Sequence, residues 1–134
     1  MTATKPSGLE GVVAGDTAIC SVEQGALIYR GYEIHDLAEN ASFEDVAYLL
    51  LHGDKPTAEE SRFFKDELIA NRALSPQAIQ TLKTCGPLLQ QGSAVPMDVV
   101  RTVLSIVGNC DPDSQDNSPE ANLRKAKRIV AKIP

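Results

Sequence analysis

Tryptophan is missing from this chain, and three Tyr and three Phe make up its 4% of aromatic residues, so any core must be built mostly from aliphatic side chains. Cysteine is scarce too. Cys20, Cys85 and Cys110 are odd in number, far apart and without a CxxC pair, which speaks against a disulfide framework and a zinc site. Reduced, buried thiols are the expectation. No apolar run approaches the roughly 20 residues that span a bilayer, and MTATKPSGLEG lacks both the apolar core of a secretory signal and the arginines of a transit peptide. A cytoplasmic location is therefore expected. Positive charge is also short, with 13 Lys and Arg against 18 Asp and Glu for a net charge of -5; nothing electrostatic favours nucleic acid or an anionic membrane as partner.

What is present is ordinary for a globular protein. Hydrophobic residues at 43% and charged residues at 23% separate the chain from disordered and membrane sequences. Its 134 residues suit one domain that buries roughly two-thirds of the surface its unfolded form exposes. No G-x-S-x-G, P-loop, dinucleotide fingerprint or H-E-x-x-H occurs, which argues against an independent hydrolase, nucleotide enzyme or zinc enzyme.

Residues 1–16, with Pro6, Gly8, Gly11 and Gly15, read as an extended, irregular lead-in. Thr17 to Val22 and Ala26 to Tyr29 are short β-favouring runs in the region 17–32, separated by Glu23, Gln24 and Gly25, which predicts a small hairpin with positive φ at Gly25. From Ser42 the pattern is helical through residue 134. Ser42 and Asp45 form a capping-box-like start, Phe43, Val46, Ala47, Leu50 and Leu51 an inward face, and Gly53 a stop. Thr57 with Glu60 opens a second helix to about Arg72, with Phe64 and Leu68 inward. Ser75 and Pro76 open a third, with Ile79 and Leu82 inward, closing near Gly86.

Pro96 begins a helix on which Met97, Val100, Val103, Leu104 and Val107 keep helical spacing until Gly108. Ser118 and Pro119 start the last, with Leu123, Ala126, Val130 and Ile133 on one side. The apolar stripe is still running at Pro134, so a continuation is expected; the alternative is a C-terminus that docks this stripe on the preceding helices. The basic cluster Arg124, Lys125, Lys127 and Arg128 reads as a solvated helix face, with phosphate binding the lesser alternative.

Four stretches, GLEGVVAGDTAIC, IYRGYEIHDLAE, FEDVAYLLLHGDKPT and NSPEANLRKAKRIVAKIP, occur in the order and spacing of bacterial-type citrate synthases, which the chain resembles over nearly its whole length. The 2-methylcitrate synthases look similar here. The resemblance implies a mainly α fold, the helical N-terminal part of the family's large domain with a small β-hairpin. It also implies a cytoplasmic homodimer of the tricarboxylic acid cycle, an acyltransferase that joins acetyl-CoA to oxaloacetate to give citrate and CoA. In that family an aspartate takes a proton from the acetyl methyl group, one histidine steadies the resulting enol, a second polarises the ketone of oxaloacetate, and arginines hold its carboxylates. Those groups neutralise charge as it develops.

The motifs that carry the family's histidines and aspartate lie downstream of the KIP stretch, so no catalytic, cofactor-binding or metal residue is assigned, and acetyl-CoA counts as a substrate. The segments Pro96 to Val107 and Pro119 to Ile133 correspond to helices that help build the family's two-fold interface. The chain alone is expected to be inactive. The rival from another class is a non-enzymatic helical dimerisation module, pairing with a full-length subunit or with itself through exposed apolar stripes.

The residues most open to a chemical reading have plainer ones beside it. His35 lies near Glu33 and Asp36 without metal-ligand spacing, and His52 falls in the last turn of an apolar helix, where the dipole favours a cation. Tyr29, Arg30 and Gly31 read as architecture, with contact of Arg30 to an anion as the alternative. Asp111, Asp113 and Asp116 lack the spacing of a calcium loop, so DPDSQDNSP reads as a solvated turn between helices.

Overall fold

The computed structural model describes residues 15–23 and 25–134. Residues 1–14 of the expected lead-in lie outside the described residues. The chain divides into two compact units, Met1–Pro56 and Thr57–Pro134.

The first unit opens on an antiparallel sheet, β1 (Cys20–Glu23), β2 (Ala26–Tyr29) and β3 (Tyr32–Glu33), in that spatial order. Cys20 faces Tyr29 and Tyr29 faces Tyr32 across the two pairings. The expected hairpin is thus a three-stranded meander that begins at Cys20 rather than Thr17. Gly25 takes the expected positive φ, 86°. Arg30 (φ 49°) and Gly31 (φ 89°) are both left-handed, as a two-residue primed turn requires between twisted strands. YRG is therefore a hairpin turn, and this is what adds the third strand.

Helix α1 (Ile34–Asn40) follows directly and has no counterpart in the periodicity, because only Leu37 in its seven residues is buried. Its start is secured by the Glu33 carboxylate, which accepts from the amides of His35 and Asp36. Helix α2 (Phe43–His52) has the expected reciprocal cap: Ser42 Oγ accepts from Asp45 N at 3.2 Å, and Asp45 accepts from Ser42 N at 3.1 Å. Gly53, at φ 102°, ends it. Its expected inward face is only partly so. Leu49 is wholly enclosed, whereas Phe43 is 65% exposed and Val46, Ala47, Leu50 and Leu51 are half-buried.

The second unit holds α3 (Ala58–Ala70), α4 (Pro76–Gln90), α5 (Pro96–Asn109) and α6 (Pro119–Lys132). Thr57, Ser75 and Ser118 cap three of them with their hydroxyls, and Pro76, Pro96 and Pro119 occupy first-turn positions where no amide donor is needed. Phe64 and Leu68 are buried on α3 as expected. α4 does not close near Gly86; it carries Pro87 in its interior and stops at Gly92 (φ 69°), where the amides of Ser93 and Ala94 turn back to Leu88 O. Gly86 is helical, and the left-handed glycine that ends the segment is the later one.

α4 packs on α5 and α3 on α6, whereas α5 and α6, though consecutive, are not among the extensively packed pairs. The α4–α5 seam is Ala78 against Val99, Val103 and Val107, with Leu74, Cys85, Ala94 and Ile106 around it. Residues 99, 103 and 107 form one i, i+4 row, and that row is the buried one. Met97 and Val100, expected inward, lie on the adjacent row at 70% and 39% exposure, and Ile79 and Leu82 on α4 are likewise exposed. On α6 the enclosed residues are Ala121 and Ala131; Leu123, Ala126 and Val130 are half-buried and Ile133 is exposed.

Candidate functional site

The polar chemistry of the second unit concentrates where the connection after α5 meets α6. Arg124 and Arg128 are four residues apart and so share a helix face. Arg128 donates from Nε and Nη2 to the two carboxylate oxygens of Asp111, both at 2.7 Å, and from Nη2 to Asp113 at 2.6 Å. Arg124 grips Asp113 with Nε at 3.0 Å and Nη2 at 2.8 Å. Asp111 Oδ1 also accepts from Asp113 N, Asp116 accepts from Ser118 N, and Lys125 donates to Asp116 O. These forked, charge-assisted pairs match guanidinium to carboxylate in geometry as well as charge.

The expected solvated helix face is therefore largely committed to internal partners, while DPDSQDNSP is the expected, mostly exposed turn between helices, tied to α6 through Asp111 and Asp113. The unforeseen grouping had a signal: an acidic loop followed by two arginines at i, i+4. The Arg128 pair lowers the pKa of Asp111, and the hydrogen bonds from Arg124 and then Arg128 hold Asp113 well below the usual carboxylate range. Both arginines are shifted upward by the same partners.

A pH dependence follows from those directions. A carboxylate whose folded pKa is depressed binds fewer protons folded than unfolded, so its stabilisation is full above the unfolded value of about 4 and is lost as pH falls through the folded value. Thermal melting followed by circular dichroism should show a melting temperature that declines below about pH 4. Asp113→Asn should be less stable at neutral pH and show a shallower acid decline; an unchanged slope would remove the clamp from the explanation.

In the first unit Arg30 reaches from the hairpin turn to Leu50 O at 3.2 Å. Leu50 lies in the last turn of α2, whose carbonyls have no helical donor ahead of them, so the guanidinium caps that helix end. Nε of Arg30 is buried without a protein partner. His35 is an exposed side chain with Glu33 at 3.9 Å. His52 does fall in the last turn of α2, where its ring stacks on Tyr48 at 4.2 Å between centroids, one helical turn back. Lys55 sits over the Tyr32 ring and pairs with Asp36 at 3.2 Å, which lowers the Asp36 pKa.

Cys20 and Cys85 are half-buried, but Cys110 is exposed, because it caps the end of α5 where the chain leaves the helix. Among the described residues no group of three or more His, Cys, Asp or Glu is placed to hold a metal ion, and no helix is long and apolar enough to cross a membrane. A groove of about 560 Å³ in the second unit is lined chiefly by Leu74, Leu82, Val103, Leu104, Val107 and Ile133. Nothing in it pairs an acid with a base.

The comparisons with known proteins agree with one another. The family described as "Citrate synthase, C-terminal domain" matches residues 8–134. Citrate synthase 2 of Bacillus subtilis is 40% identical over 134 residues, all of this chain and 34% of that protein. The 2-methylcitrate synthase of Shewanella oneidensis is also 40% identical, over 96% of this chain and 32% of its own length. The crystal structure of citrate synthase from Pyrobaculum aerophilum superposes with a TM-score of 0.81 at 29% identity, covering 92% of this chain and 32% of that one. The chain thus spans about a third of the length of the relatives it matches. A helical architecture with a small antiparallel sheet before the helices, and similarity running through nearly every residue, lead to one assignment: the chain belongs to the citrate synthase family.

Proposed function

We propose that this chain is a scaffold segment of a citrate synthase, the N-terminal part of its large domain. The intact protein, an acyltransferase, joins acetyl-CoA to oxaloacetate, while residues 1–134 supply packing and subunit contact rather than catalysis. The observation that carries this reading is the 40% identity to Citrate synthase 2 over the full chain. The local chemistry is compatible with it. His35 is solvent-facing, His52 stacks on Tyr48, and Asp111 and Asp113 of the second unit are held by arginines.

The subunit contact falls to the segments 96–107 and 119–133. Met97 (70%) and Val100 (39%) on α5, Ile129 (41%) on α6 and Ile133 (56%) just past it expose apolar side chains, and such surface is stabilised by burial against a second copy. Light scattering over a concentration series should show the apparent mass climbing from 14.4 kDa toward a dimer. Met97→Asp with Ile133→Asp should hold it at the monomer value. A wild-type chain that stays monomeric throughout contradicts the dimerisation role.

The 2-methylcitrate reading has its own support, because relatives with that name match at the same identity. The two products differ by one methyl group, a discrimination worth only about 1–3 kcal/mol in an apolar pocket.

A further inference from the structure

The four helices of the second unit are two pairs rather than one bundle. α4 and α5 share the valine seam described above, and α3 packs on α6, where Lys127 lies over the ring of buried Phe64 and pairs with Glu67. Two connections join the pairs: residues 71–75 from α3 to α4, and 110–118 from α5 to α6. Both are pinned by the same helix. Lys132 of α6 donates to Asn71 O at 2.5 Å, fixing the first connection, and Arg128, one turn before it, holds Asp111 and Asp113 of the second. Ala73, Leu74, Cys110 and Pro112 come together with Arg128 and Lys132 around one small cavity, so the two connections cross side by side.

We infer that this crossing is a two-stranded hinge between the helix pairs, and that the forked Arg128 contacts with Asp111 and Asp113 are its brace. The reasoning is mechanical. Apolar seams hold each pair together internally, but α5 and α6 lack an extensive seam of their own. The 560 Å³ groove, lined from α4, α5 and the end of α6, separates the pairs where a common core would otherwise join them. Polar contacts at the hinge therefore set how wide that groove stands. Bidentate geometry suits the task, because a planar guanidinium fixed at two points resists rotation of the loop about the helix in a way a single ammonium contact does not.

The test is a pair of electron spin–spin distance measurements on the whole chain, in a Cys20→Ala, Cys85→Ala, Cys110→Ala background. Labels at the exposed sites Lys65→Cys on α3 and Lys83→Cys on α4 report the separation of the pairs. Labels at Lys65→Cys and Glu120→Cys report within the α3–α6 pair. Arg128→Gln should broaden or shift the first distribution and leave the second unchanged, with helicity retained. Lys125→Gln, which loses only a contact to a backbone carbonyl, should alter neither. An unchanged Lys65–Lys83 distribution in helical Arg128→Gln overturns the hinge. Loss of helicity in that variant overturns it too, since each pair would then depend on the brace for its own fold. Arg128→Lys keeps the charge without the fork, and a wild-type distribution there would show that the bidentate geometry is not what braces the connection.

Discussion

Phe64→Ala should cost about 3–5 kcal/mol of stability, the usual range for emptying a buried aromatic site. Phe64 is 3% exposed on α3, and the Lys127 ammonium lies 5.7 Å from the centre of its ring while pairing with Glu67. Truncation therefore leaves a cavity in the α3–α6 seam and removes the ring beneath a half-buried cation. Folded domains have only about 5–15 kcal/mol in hand, so the variant should melt roughly 10 °C or more below the parent. The neighbouring residue supplies the control. Phe63 is 74% exposed, and Phe63→Ala should stay within about 0.5 kcal/mol. Urea denaturation of both variants measures the contrast, and equal losses would mean that α3 presents a different face to α6.

That contrast also marks what could be read before the structure. The starts of α2, α3, α4 and α6 were legible because Ser42, Thr57, Ser75 and Ser118 announce them locally: a hydroxyl before a helix has one dominant use, and Asp45, Glu60 or a proline nearby confirms it. Ends were harder. Gly53 adopts the left-handed conformation, whereas Gly86 is helical and Gly92 does the stopping, and only the backbone distinguishes them. The inward face was least legible where apolar residues occupy adjacent rows. On α5 the choice between Val99–Val103–Val107 and Met97–Val100–Leu104 is made by α4, which periodicity within one helix does not report. α1 was invisible for a related reason, since one buried leucine in seven residues has no period.

The polar residues divide the same way. His52 in a final helical turn and YRG as a bend were readable from neighbours in sequence. Arg30 as a cap for Leu50 and Arg128 as the partner of Asp111 were not, because each joins groups 17 to 20 residues apart. The stretches that carry the family resemblance include Arg30, Leu50 and Arg128, so the likeness reported a shared architecture without stating what each side chain does. Arg30 shows the difference: within IYRGYEIHDLAE it is a family letter, and in the fold it is the contact that ties the β2–β3 turn to the end of α2.

The most direct measurement is a turnover assay of the purified 134-residue chain with oxaloacetate and acetyl-CoA, following release of the CoA thiol. If these helices are scaffold, no citrate forms above the uncatalysed rate, and His35→Ala and His52→Ala change nothing. Citrate production that either substitution abolishes would place a working acid–base group inside this segment and contradict the assignment.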